Sequence, residues 1–261
     1  MSRRSGKEVE VHLPAVKLFA AATGTVAESL FGLAGANDFI ESSAGAAFAV
    51  GTENVLGGWL SRREQWNAET VVRRAVERAA ERCAGGESPR EDDFIAGTPS
   101  SFEELVEGTL GTAQRNYESR KLEYLGNLVA SFAFDASMDR TTANWCIRMA
   151  ESLSWAQYVL LALASEDESK YPRASINAGR DRTVDDSTVF SVWEDFEDLH
   201  ARRLIGADPD RLGEGAIPRR MIYIPMHGGG LLIRLMELHT ITADDRDLIY
   251  SALLRGTAPE S

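Results

Sequence analysis

Residues 187–241 constrain the fold of this chain more than any other stretch. Val189, Val192, Trp193, Phe196 and Leu199 recur at spacings of three and four, the period of a helix that buries one face, and Leu204 extends the stripe. Leu204 and Ile205 followed by Gly206 mark a helix exit into a strand or turn. Residues 206–218, with two prolines and three glycines, form a connector or inserted loop. Arg219 to Met226 alternates in polarity and is rich in β-forming side chains, and Pro225 marks an edge or an end. Gly228, Gly229 and Gly230 are expected to break the backbone pattern before an apolar helix over Leu231–Leu238. The predicted class is mainly α: helical N-terminal and middle regions, then a small α+β module at the end.

Upstream, the periodicity is helical almost throughout. Residues 59–84 predict one helix whose stripe is Leu60, Val71, Val72, Ala75, Val76, Ala79 and Ala80, ended by Gly85 and Gly86. Ser100 or Ser101 with Glu103 or Glu104 forms a capping box that opens a helix expected to run to about Leu128 or beyond. Leu105, Leu110, Ala113, Tyr117, Tyr124, Leu125 and Leu128 fall near its one apolar face. A short helix over 140–151 follows. Ser154 with Gln157 is a second capping box, before an apolar run to Ala164 that predicts a central, buried helix. Thr242 and Asp245 are expected to cap the last helix, with Leu248, Ile249 and Leu253 inside. Composition divides the chain into 1–84, a Gly/Ala-rich helical hairpin and a charged helix; 85–101, a linker or loop; and 102–261, the helical body with its terminal module.

The N-terminal region is the place to look for membrane contact. Leu18–Ala36 and Ser42–Leu60 each hold 19 residues with one charge, Glu28 and Glu53. That length approaches a membrane span. Alanine, glycine, serine and threonine contribute little hydrophobicity, and a carboxylate near mid-span costs roughly 2.5–3.5 kcal/mol. Two readings stay open: a buried helical hairpin packed through small residues, or a surface for self-assembly or conditional membrane engagement. Gly24, Gly32, Gly35, Gly45 and Gly51 permit close backbone approach in either. The first residues lack the apolar stretch and cleavage site of a secretory leader.

Composition narrows the function classes. With 44% hydrophobic and 26% charged residues the chain is globular and long enough to bury a core without disulfides or metal. Cys83 and Cys146 are its two cysteines, far apart, as expected of reduced thiols in a cytoplasmic protein. The net charge of −12 opposes contact with phosphate backbones. Arg73, Arg74, Arg78 and Arg82 make one basic helix face, but Glu77 and Glu81 intersperse it, so a solvated ion-paired face is expected before a lipid or nucleic-acid patch. His12, His200, His227 and His239 show no metal-ligand spacing. His227 before three glycines offers either a flexible turn or backbone amides for an anion. Asp92–Asp93, Asp185–Asp186 and Asp244–Asp245 are expected to be solvated or to open helices. No phosphate-binding loop or serine-nucleophile motif occurs, so no catalytic, cofactor or metal residues are assigned.

Two resemblances follow from these residues. The order from Ser154 through the strand and the helix after Gly230 resembles a winged-helix domain over about residues 150–240. Winged helices are often met on DNA, yet the helix that would face it carries Glu194, Asp195, Glu197 and Asp198. Arg202, Arg203, Arg219 and Arg220 are the local counterweight, so this set is expected to meet a protein partner, with nucleic acid disfavoured. Lys121 to Leu163, with NLVAS at 127–131, an acidic break and LSWAQ at 153–157, resembles bacterial helical proteins of the abortive-infection alpha type. That resemblance implies a role in bacterial defence or a phage-linked stress response, without an active site to carry over. The expected protein is a non-enzymatic effector or adaptor. It would act by protein contact or self-association, in the cytoplasm, with residues 11–60 available for membrane engagement on activation. The alternatives are a winged-helix transcriptional regulator and an enzyme with an unfamiliar site.

Overall fold

The computed structural model describes residues 33–56, 60–97, 100–167, 169–172, 185–207 and 223–257. The described part is mainly helical, with one two-stranded antiparallel sheet late in the chain. The chain divides into two compact units, Met1–Glu151 and Ser152–Ser261.

The first unit contains α1 (Ala36–Ile40), α2 (Ser43–Leu56), α3 (Arg62–Ala84), α4 (Asp93–Ala96), α5 (Ser101–Arg115), α6 (Leu122–Phe134) and most of α7 (Arg140–Ser152). Its centre is α6, buried from Leu122 to Ala133 at every position except Glu123. Helix α3 packs along α6, and α5 joins α3 to α2. Of the expected stripe, α3 buries Val71, Val72, Ala75, Val76, Ala79 and Ala80, whereas Leu60 precedes the helix and is half-buried. Ser61 and Glu64 close a capping box at its start, each side chain holding the other's backbone N–H.

The helix expected from residue 101 to 128 or beyond is two helices. Asn116 leaves the helical region at φ −73°, ψ 130°, and its Oδ1 accepts the Glu118 amide at 2.9 Å. The buried Asn67 of α3 donates to the carbonyls of both Ala113 and Asn116, at 2.9 Å each, which satisfies the freed end of α5. Tyr117, expected on the apolar face, therefore falls outside either helix and is 79% exposed.

Residues 85–97 are not a free linker, and the chain does not divide there. Arg90 has a side chain only 5% exposed. Its amide donates to Ala133 O at 2.9 Å, and its guanidinium holds the Asp92 carboxylate at 2.6 and 2.9 Å. The same group donates to Asp135 O and Met138 O at 2.8 and 2.9 Å and lies 4.0 Å over the Phe94 ring. One cation thus fastens the loop and α4 to the end of α6.

The second unit contains α8 (Trp155–Ser165), α9 (Ser187–Ala201), β1 (Ile205–Ala207), β2 (Tyr223–Pro225), α10 (His227–Met236) and α11 (Ala243–Arg255). Helix α8 is the core, as its apolar run implies, buried from Gln157 to Ala164 and packed against α9, α10, α11 and β2. Ser154 and Gln157 form the expected capping box. On α9, Val189, Val192, Trp193, Phe196 and Leu199 are buried, with Leu204 beyond. The Trp193 indole donates to Leu253 O of α11 at 3.2 Å.

Helix α9 ends in a Schellman motif. The Arg203 amide donates to His200 O and the Leu204 amide to Leu199 O, at 2.9 and 3.0 Å. Arg203 takes φ 59° there, a left-handed conformation that disfavours a Cβ. Arg203→Gly is expected to stabilise the second unit by about 1 kcal/mol, read as a higher urea midpoint with an unchanged slope.

Strands β1 and β2 pair Ile205 with Pro225, Gly206 with Ile224 and Ala207 with Tyr223. The connector 208–222 lies outside the described residues. The glycine run does not break the pattern: Gly228, Gly229 and Gly230 lie in the first turn of α10. A Cβ at Gly229 would stand 2.0 Å from Leu204 O, which already accepts the Met226 amide at 2.9 Å. Gly229 lets α10 start directly against the end of α9. Thr242 caps α11 as expected, its Oγ1 accepting the Asp245 amide. Ile249 and Leu253 are buried, but Leu248 is 60% exposed, on the outer side of α11.

Candidate functional site

The acidic residues of α9 are not one surface. Asp195 and Asp198 turn inward, toward the start of α8. Ser154 Oγ donates to Asp195 Oδ2 at 3.0 Å, and Gln157 Nε2 donates to Asp195 O at 3.3 Å and to Asp198 Oδ2 at 2.7 Å. Arg202 closes the network, with Nε 2.7 Å from Asp198 Oδ2 and Nη1 donating to Ser152 Oγ at 2.8 Å. Two carboxylates thereby sit at the N-terminus of α8, where the helix dipole and unpaired amides favour negative charge. Glu194 and Glu197 stay on the exposed side of α9, together with Ala201 and Arg203. Of the eight interaction candidates, Asp195, Asp198 and Arg202 are thus bound into the unit, Glu194, Glu197 and Arg203 face solvent, and Arg219 and Arg220 lie outside the described residues.

The small-residue candidates are likewise divided. Gly24 and Gly32 lie outside the described residues. Gly35, at φ 80°, precedes α1, and a Cβ there would meet Ala80 O at 2.3 Å. Gly45 faces Phe39 O at 2.1 Å, and Gly51 faces Glu103 O at 2.9 Å. These three glycines bring α1, α2, α3 and α5 together within the first unit. Among the described residues no helix is long and apolar enough to cross a membrane.

The basic face of α3 is ion-paired. Arg73 meets Glu77 at 2.9 Å, Arg78 meets Glu81 at 2.8 Å and Arg82 meets Glu87 at 2.6 Å. Arg74 donates to Asn127 Oδ1 at 2.8 Å and lies 3.9 Å from Glu77. Such exposed pairs add little stability, but they neutralise the field that a phosphate or lipid headgroup would need.

A crevice of about 450 Å³ opens between α1 and the end of α3, lined by Asp38, Glu41, Cys83, Glu87 and Glu91. Burial pushes the Cys83 thiol up, and Asp38 and Glu87 add to this, with Arg82 opposing. The thiol form therefore prevails near neutral pH, the reverse of an activated nucleophile. Among the described residues no group of three or more His, Cys, Asp or Glu side chains is placed to hold a metal ion.

The displaced titrations of Lys121 and Tyr171 are explained by packing. Burial lowers the Lys121 ammonium, opposed by Glu118 and Glu151; its Nζ donates to Glu151 O at 3.2 Å, near the end of α7. Burial, then the hydrogen bond to Asp247, pushes the Tyr171 phenol up to about 12. Tyr171 donates to Asp247 at 2.7 Å and Tyr250 to Pro172 O at 2.9 Å, which secures residues 171–172 on α11. Cys83, Lys121 and Tyr171 lie in separate parts of the chain.

Comparison with protein-family models, with curated proteins and with solved structures returns no match.

Proposed function

We propose that this chain is a non-enzymatic interaction protein, an effector or adaptor of the abortive-infection-like kind, whose second unit is winged-helix-like and meets a protein partner through the outer side of α9. The observation that carries this reading is the division of α9. One side is committed to α8 and α11, while Glu194 and Glu197 remain outward on the helix that a winged helix would present. Carboxylates on that side suit a cationic protein surface and repel phosphate. The test is phage plating with cells that carry the protein or its Glu194→Lys/Glu197→Lys variant. The intact protein is expected to lower plating efficiency and the folded variant to lose the effect. An unchanged plating efficiency with the intact protein would sink the defence role.

The regulator reading has one observation in its favour, the antiparallel pair β1–β2 directly after α9. A mobility shift at about 50 mM salt, where cationic contacts are strongest, decides it; no shift is expected. Membrane engagement through residues 11–60 requires α2 to leave its packing against α5, so any lipid contact belongs to a state in which that segment is released.

A further inference from the structure

The outer side of α11 has a pattern that the buried contacts of the second unit do not use. Asp244, Leu248, Ser251 and Arg255 recur at intervals of four, three and four, and all four are exposed. They lie away from the buried positions Arg246, Ile249, Ala252 and Leu253. An acid at the start and a base at the end of a helix would by themselves express only the helix dipole. Leu248 lies midway between them and is 60% exposed.

We infer that α11 is the seam of a homodimer in which two copies of this helix lie antiparallel about a twofold axis. An isologous interface requires a surface complementary to itself, and this stripe meets that requirement. A twofold axis midway along the stripe sets Asp244 against Arg255 of the second copy, at both ends at once. It also sets Leu248 against the small Ser251 of the other helix, so each leucine finds a shallow seat between two polar ends. Arg255 is free to turn to a new acid, because its contact with Asp186 is 3.8 Å long and its side chain is 53% exposed. Like charges never face each other in this register, whereas a parallel pairing would oppose Asp244 to Asp244 and Arg255 to Arg255. A single pair of three-turn helices covers less than the roughly 800 Å² per partner of a standard interface, so the association is weak and concentration-dependent.

This inference goes beyond the proposed role of α9 and does not depend on it. Sedimentation equilibrium of the full chain over about 5–500 µM tests it, a range matched to weak association. The intact protein is expected to pass reversibly from monomer to dimer. Asp244→Arg should raise the dissociation constant at least tenfold, and so should Leu248→Lys, a surface change that leaves the capping of α11 untouched. The double variant Asp244→Arg/Arg255→Asp should return it to within about threefold of the starting value, because the exchanged charges face each other again. Circular dichroism verifies that each variant is folded. A monomer throughout the range overturns the inference, and so does a folded double variant that fails to recover. Glu194→Lys/Glu197→Lys should leave the dissociation constant unchanged, so failure of the α9 reading and failure of this one are told apart.

Discussion

Gly45→Ala is expected to destabilise the first unit by about 3 kcal/mol, because the added carbon has nowhere to go. It would stand 2.1 Å from Phe39 O, 2.8 Å from Ile40 Cα and 2.9 Å from Ile40 O, all backbone atoms of the neighbouring α1 turn. A flexible side chain would give way; this turn is held by Ser42, whose hydroxyl donates to Phe39 O at 2.6 Å and accepts the Gly45 amide at 3.0 Å. Phe39 and Phe48, both buried and in edge contact at 6.1 Å, would be pushed apart with it. For a unit of this size the effect is a fall in Tm of roughly 6–12 °C. Hydrogen exchange in α2 should accelerate before that in α6. The same variant examines the small-residue segment: if release of α2 is the route to lipid, Gly45→Ala should float with anionic vesicles where the intact protein does not.

Arg90→Met should cost about 3 kcal/mol, for a different reason. Methionine fills much of the same volume, so the loss is polar. The carbonyls of Asp135 and Met138 lose their donor and Asp92 loses its cation. The Arg90 hydrogen bond is the main cause that holds the Asp92 carboxyl below its ordinary value, against a smaller opposing effect of burial. A carboxyl lowered in the folded state contributes stability above its unfolded value, near pH 3.9, and loses that contribution as the pH falls through the folded one. The intact protein should therefore lose stability on acidification in that window, and Arg90→Met should lose less over the same interval. Urea unfolding at several pH values reads both slopes; equal slopes would remove the ion pair from the account. Asp92 is 42% exposed, so solvent screens the pair and the three neutral contacts of Arg90 carry most of the loss at neutral pH.

What could be read from residues alone was whatever depends on neighbours in sequence. The stripe of α9, the capping boxes at Ser100 and Ser154 and the Thr242 cap are settled within one or two turns, and the structure places them as expected. The rest was decided by partners far along the chain. Asp195 looks like a solvated acid until Ser154, 41 positions earlier, is placed beside it. Arg90 looks like a loop charge until the carbonyls at 135 and 138 surround it. Three consecutive glycines argue against a helix by propensity, but at 229 only the absence of a Cβ admits Leu204 O. The sequence pattern groups Leu248 with its neighbour Ile249, although one step of helix separates the inner side of α11 from the outer. The break at Asn116 had a local signal in its Asx turn, yet the polar neighbour that stabilises it, Asn67, belongs to another helix.

The inward acids of α9 also limit what this chain can become. Here two of the four acids hold the first turn of the core helix α8, and Arg202 braces Asp198 against Ser152. Replacing Asp195 or Asp198 by lysine would place a cation at a helix start and strand Ser154 and Gln157 without their acceptors. Exposed positions such as 190, 194, 197 and 201 lie outside this network and outside the core. The exposed side of α9 can therefore vary in sequence, while the charge that holds Ser154 and Gln157 is fixed by the architecture of the second unit.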